Sequence, residues 1–104
     1  MDRFSDRVVI VTGAASGIGR ATALRLAEEG ATLALSDVNV EGLAETADAC
    51  TRQGSTVTAS RVNVADEREV VDMIRGVVAE HGRLDVVVNV AGILQFGHTH
   101  ETSL

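Results

Sequence analysis

The chain has 104 residues, a formal net charge of −6 and a sequence pI near 4.9. That length bounds it to one small domain with a modest buried fraction. The acidic balance, with nine scattered arginines as the only basic residues apart from histidine, excludes a nucleic-acid surface. Apolar residues make up 45 % and aromatics 2 %, a composition that suits a β-branched parallel sheet covered by Ala-rich helices. The lone cysteine, Cys50, has no partner for an internal disulfide or a metal-ligand set. Seven residues after Leu43, it falls on an apolar stripe as a small buried hydrophobe. The start, Met1 to Asp6, has no signal-peptide core, and no apolar run approaches the roughly 20 residues that span a bilayer. The cytoplasm is the expected compartment.

Two patterns alternate along the chain. A β-branched run at 7–12 leads into Thr12-Gly13-Ala14-Ala15-Ser16-Gly17-Ile18-Gly19, and a helical pattern follows at 17–29. Its apolar face reads Ile18, Ala21, Leu24 (or Arg25), Leu26 and Ala27. A second strand is expected at 31–36, a second helix at 40–53, a third strand at 56–62 and a third helix at 66–81. In that last helix Val70, Val71, Ile74, Val77 and Val78 recur with helical spacing. A fourth strand is expected at 84–90. Gly30, Gly54 and Gly82 directly follow the three helices, where left-handed caps are wanted. The order is βαβαβαβ, so the sheet is expected to be parallel and doubly wound. Right-handed crossovers predict strand order 3-2-1-4, with the first two helices on one face and the third on the other. Such sheets bind ligands in the crevice between strands 1 and 4.

The chemistry lies at the strand ends. A strand, a glycine-rich turn and a helix start make a phosphate cradle: free N–H groups and the positive end of the helix dipole face the turn. The spacing, Gly-x-x-x-Gly-x-Gly, differs from the Gly-x-Gly-x-x-Gly dinucleotide fingerprint. Asp37 follows the second strand. It reads either as an acceptor for both hydroxyls of an adenosine ribose or as an N-cap for the helix near Val40. A carboxylate there repels a 2′-phosphate, and neighbouring Ser16 and Val38 bring no positive charge, so NAD is expected over NADP. Asn63-Val64 reads either as an adenine-edge contact or as a turn before the next helix. Asn89 ends the fourth strand and needs partners, because a buried amide left unpaired costs about 1–3 kcal/mol; backbone across the sheet is the expected partner. Ala91 and Gly92 leave room for a cofactor against the backbone.

Together these residues resemble the short-chain dehydrogenase/reductase family, over 7–104. Thr12-Gly13-x-x-x-Gly17-x-Gly19 is similar to its cofactor motif, and Asn89-Val90-Ala91-Gly92 to its Asn-Asn-Ala-Gly motif, with Val90 in place of the second Asn. Asn63 stands where the family has Asp. The resemblance implies a Rossmann-like fold, incomplete relative to the family, in which 1–104 is the N-terminal dinucleotide-binding part. It implies NAD as cofactor, held by Gly13, Ser16, Gly17, Ile18, Gly19, Asp37, Asn63, Val64, Asn89, Ala91 and Gly92. It further implies hydride exchange with an alcohol or carbonyl substrate in a full-length enzyme, and a homo-oligomer as partner state.

The family's catalytic Tyr-x-x-x-Lys pair has no counterpart, because the chain contains neither Tyr nor Lys. No catalytic or metal residue is therefore assigned, and the isolated chain is expected to be inactive. His98, His100 and Glu101 resemble a metal set but read as a surface tail. Thr102-Ser103-Leu104 reads as the start of a further helix, so the chain is expected to be a fragment. With an open Val-rich edge on strand 4, it is also expected to be marginally stable and prone to aggregate. Two other readings stand beside the first. One is a truncated, non-catalytic module that binds nucleotide, or a partner through its bare edge. The other is a methyltransferase, which also uses a glycine-rich turn and a following acid.

Overall fold

The structure, a computed structural model, describes residues 3–91. Strand β1 (Val8–Thr12), helix α1 (Gly17–Glu28), strand β2 (Thr32–Ser36), helix α2 (Val40–Arg52), strand β3 (Val57–Ser60), helix α3 (Glu67–His81) and strand β4 (Val86–Asn89) follow one another. All pairings are parallel and the order is β3-β2-β1-β4, as the alternation predicts. Gly92, His98, His100, Glu101 and the 102–104 segment lie outside the described residues.

The sheet is buried at its centre because β1 is apolar on both faces. Val9 and Val11 point into one core with Leu33, Leu35, Ala23, Leu26, Ala27, Leu43 and Cys50, which is the α1–α2 side. Val8 and Ile10 point into the other with Ala34 and Val77, flanked by Met73, Ile74 and Leu84, which is the α3 side. Two helices on one face and one on the other is the expected layering. Cys50 is wholly buried, and burial pushes its thiol pKa up.

Two helix faces differ from the periodicity. On α1 the buried residues are Gly19, Ala23, Leu26 and Ala27, whereas Ile18 is 73 % exposed and Ala21 is exposed. The rotation is set by Gly19, which lies directly against the Gly13 backbone and brings the small side of the helix inward. On α3 the buried stripe is Val70 and Val77, with Met73 and Ile74 partly buried, while Val78 faces solvent.

The helices start on side-chain caps. Ser16 Oγ accepts from Gly19 N–H, Asn39 Oδ1 from Gly42 N–H, and Asp66 Oδ1 from Arg68 and Glu69 N–H. Each such cap contributes about 1 kcal/mol. Gly30, Gly54 and Gly82 take φ of 91°, 93° and 78°, the left-handed stops the sequence predicts.

β4 is the outer strand on its side, and Val86 and Val87 are 38 % and 39 % exposed. Just before β4, the Asp85 carboxylate turns toward β1, accepting from Val8 N–H at 2.8 Å and from Arg83 Nη2 and Nε at 2.7 and 2.9 Å. Arg83 and the Val8 N–H together hold its pKa below the ordinary carboxylate range. At the other end of α1, Glu29 is buried with a depressed pKa, held first by Arg25 at 2.9 Å and then by Arg3 at 3.5 Å. Phe4 N–H donates to the Glu29 carbonyl, so the leading segment is strapped beside the first core.

Candidate nucleotide site at the strand ends

Parallel pairing brings the C-terminal ends of β1, β2 and β4 to one rim of the sheet. The chain turns one way from β1 to β2 and the other way to β4, so the rim opens at that divergence. A cleft of about 400 Å³ lies there, lined by Gly13, Ser16, Asp37, Val38, Val62, Asn63, Val64, Val90 and Ala91. Six of the residues expected from the sequence line it. A larger groove of about 580 Å³ lies between α3 and the β2–β3 strands; none of the motif residues reaches it, so it is not the candidate site.

The three glycines of the turn have three different surroundings. Gly13 has φ +70°, and a Cβ there would stand 2.8 Å from Ala91 N; turn geometry and the approach to the end of β4 both exclude a side chain. A Cβ on Gly19 would fall 1.9 Å from the Gly13 oxygen, so α1 can seat on the turn only without one. Gly17 meets nothing within 4 Å and has no positive φ. No contact within the described residues requires a glycine there, and the space around it is open.

The turn is held from several sides. Ser16 Oγ donates to Gly13 O at 2.8 Å, and Ala14 N–H donates to Ser36 O at 3.0 Å. Asp37 does not cap α2; Asn39 does. The Asp37 carboxylate accepts from Ala15 N–H and from Asn39 N–H, both at 2.9 Å, so it braces the turn while remaining partly exposed to the cleft. α1 has no acidic residue in its first turn, whereas α2 has Glu41 and α3 has Glu67 and Glu69. The α1 dipole thus has no carboxylate in its own first turn, and the acid beside its positive end is Asp37, bonded to Ala15 N–H just ahead of the Ser16 cap.

The remaining residues divide. Asn63 Oδ1 accepts from Ala65 N–H at 3.0 Å, the turn role, while its side chain and Val64 still line the cleft. Asn89 does not line it. Its Oδ1 accepts from the Thr12 hydroxyl at 2.7 Å, and this ties β4 to β1 beneath the rim. Ile18 sits exposed at the start of α1. The sequence reading missed Thr12 as that partner and missed Thr46, whose buried hydroxyl reaches Ala14 O. The signal for Thr46 was its place between Leu43 and Cys50 on a buried stripe.

A family model described as short chain dehydrogenase matches residues 7–104. The chain belongs to the short-chain dehydrogenase family. Levodione reductase of Leifsonia aquatica is 45 % identical over 93 residues, covering 88 % of this chain and 35 % of that protein. Among solved structures, NAD+-bound xylitol dehydrogenase matches with a TM-score of 0.79 at 38 % identity, over 82 % of this chain and 33 % of that one. Carveol dehydrogenase from Mycobacterium avium in complex with NAD matches with a TM-score of 0.83 at 32 % identity, over 89 % and 38 %. The chain therefore spans little more than a third of the length of these short-chain dehydrogenases. Family membership also removes the methyltransferase reading. Among the described residues, no helix is long and apolar enough to cross a membrane.

Proposed function

We infer that this chain is the dinucleotide-binding part of an NAD-dependent short-chain oxidoreductase. The observation that carries the reading is Gly17: a glycine with open space around it, at the start of a helix with no first-turn carboxylate, beside a cleft of about 400 Å³ lined by Asp37, Asn63 and Ala91. The N–H groups of Gly17 and Ile18 would take the pyrophosphate, with Gly13, Ser16 and Gly19 shaping the turn. Asp37 would accept the ribose hydroxyls and repel a 2′-phosphate. Asn63 and Val64 would face the adenine. Ala91 would lie beneath the cofactor, and Asn89 would fix the end of β4 under it. The two similar structures that hold NAD support this choice of ligand.

The bound dinucleotide would carry a hydride to or from an alcohol or carbonyl carbon. This chain's residues bind and orient it. None of them supplies a Tyr–Lys acid/base pair, since the chain has neither residue, so the 104-residue chain alone turns nothing over. Cytoplasmic location and self-association go with this reading of the complete enzyme.

Isothermal titration with NAD and NADP tests it. NAD is expected to bind more tightly, and Asp37→Ala is expected to weaken NAD and narrow the gap to NADP. Equal affinity for the two cofactors, or an Asp37→Ala variant that binds NAD as the parent does, would overturn the cofactor assignment. A second reading, a non-catalytic module that pairs with a partner through its sheet edge, draws on the exposed Val86 and Val87 of β4. Stoichiometric co-purification of a partner by a chain that binds no nucleotide would favour it.

A further inference from the structure

α2 reaches the glycine-rich turn through two residues that no motif contains. Thr46 is wholly buried, and its hydroxyl donates to the Ala14 carbonyl at 2.9 Å, 32 positions away in sequence. A mid-helix threonine ordinarily bonds the carbonyl four residues back. Here that acceptor, Gly42 O, is the longer of the two at 3.2 Å. One helical turn before Thr46, Gly42 allows the approach: a Cβ there would stand 2.9 Å from Ala15 Cβ and from Asn39 Nδ2. The Ala15 methyl is fixed to its backbone, so that contact opens only if the turn or the helix moves. From the other side, Ser36 O holds Ala14 N–H and Asp37 Oδ2 holds Ala15 N–H. Residues between Gly13 and Ser16 are thus gripped at three backbone atoms by groups outside the turn.

We propose that Thr46 is a positioning residue for the phosphate cradle. Its hydroxyl, brought into range by Gly42, fixes the turn in the shape that presents the Gly17 and Ile18 N–H groups to a diphosphate before the ligand arrives. The inference rests on the nucleotide-binding reading and adds α2 to the machinery of that site. A preformed cradle avoids the ordering cost of binding, so loosening it weakens diphosphate recognition and spares adenosine recognition.

The experiment is titration of the protein with ADP, adenosine and NAD. Thr46→Val keeps the shape and removes the donor. It is expected to weaken ADP and NAD about tenfold, the effect of one lost buried hydrogen bond, with adenosine unchanged, and Thr46→Ser is expected to restore wild-type affinity. Gly42→Ala is the second variant. Its Cβ would press on the Ala15 methyl and displace the turn, so ADP affinity is expected to fall while adenosine affinity holds. A residue that mattered only to stability would not separate ADP from adenosine. ADP bound as tightly by Thr46→Val, or by Gly42→Ala should the first variant not fold, overturns the Thr46 assignment and leaves the nucleotide reading standing. A wild-type protein that binds neither NAD nor ADP overturns both.

Discussion

Gly17 and Gly19 sit two positions apart in one turn, and alanine at each is expected to do opposite things. At Gly19 the new Cβ would lie 1.9 Å from the Gly13 oxygen, 2.7 Å from its carbon and 3.0 Å from Ala14 Cα. Contacts under 3.0 Å are essentially never seen, so the carbonyl must retreat by about 1 Å. That carbonyl accepts from Ser16 N–H at 3.1 Å and Ser16 Oγ at 2.8 Å, and both bonds belong to the start of α1. Overpacking costs about 1–3 kcal/mol, and each weakened bond about 0.5–1.5 kcal/mol. Against this stands at most about 1 kcal/mol of helix propensity. The net expectation is a loss of about 3 kcal/mol, or roughly 12–24 °C in Tm for a domain near this size. At Gly17 nothing lies within 4 Å, so alanine is expected to leave stability unchanged or raise it by up to about 1 kcal/mol, while NAD affinity falls. Denaturant unfolding followed by two probes, with titration of NAD into each variant, reads both. A Gly19→Ala protein within about 1 kcal/mol of the parent would refute the account of the turn. A Gly17→Ala protein with undiminished NAD binding would refute the assignment of that open space to a ligand.

Three further perturbations follow from the same contacts. Thr12→Val removes the donor to Asn89 from a wholly buried position and is expected to cost roughly 1–2 kcal/mol in denaturant unfolding; no change would mean the hydroxyl does not tie β4 to β1. Asn39→Ala is expected to cost about 1 kcal/mol as a lost cap, whereas a cap role for Asp37 would leave this variant unaffected. For pH, Asp85 and Glu29 both have depressed pKa values in the fold. The stability they contribute is present above the ordinary carboxylate range, near pH 4, and disappears as pH falls through their lower folded values. Asp85→Asn is therefore expected to lower the unfolding midpoint at pH 7 and to flatten its decline between pH 6 and 3; parallel profiles for variant and parent would contradict this.

The strand order, the layering and the helix stops were legible because each depends on local signals: apolar periodicity, crossover handedness and a glycine after each helix. What was not legible depends on who touches whom across the chain. The α1 face was misplaced because the pattern ranks Ile18 by hydropathy, while the helix is rotated by Gly19 against Gly13. Asp37 and Asn39 are both good caps by type, and only the Ala15 N–H beside Asp37 separates their roles. Val78 and Met73 exchange places on α3 because the sheet beneath, not the sequence spacing, decides which side is covered. At the site, the turn and Asp37 were readable as a motif. Thr46 was not, since its acceptor lies 32 residues away, and neither was the Thr12 hydroxyl as a partner of Asn89, which is 77 residues away.

The central strand is also the first one made. β1 pairs early with β2, but its other edge waits for β4, and the Val8–Asp85 hydrogen bond joins residues 77 apart. At bacterial or eukaryotic synthesis rates, that separation is roughly 4–15 s of translation. Throughout that time the β4-facing edge of Val8 to Thr12 has its backbone groups bonded to water alone and open to pairing with another strand. Protection of that edge on the ribosome, by a chaperone or by speed of elongation, is therefore a demand that this topology places on the cell long before any ligand is met.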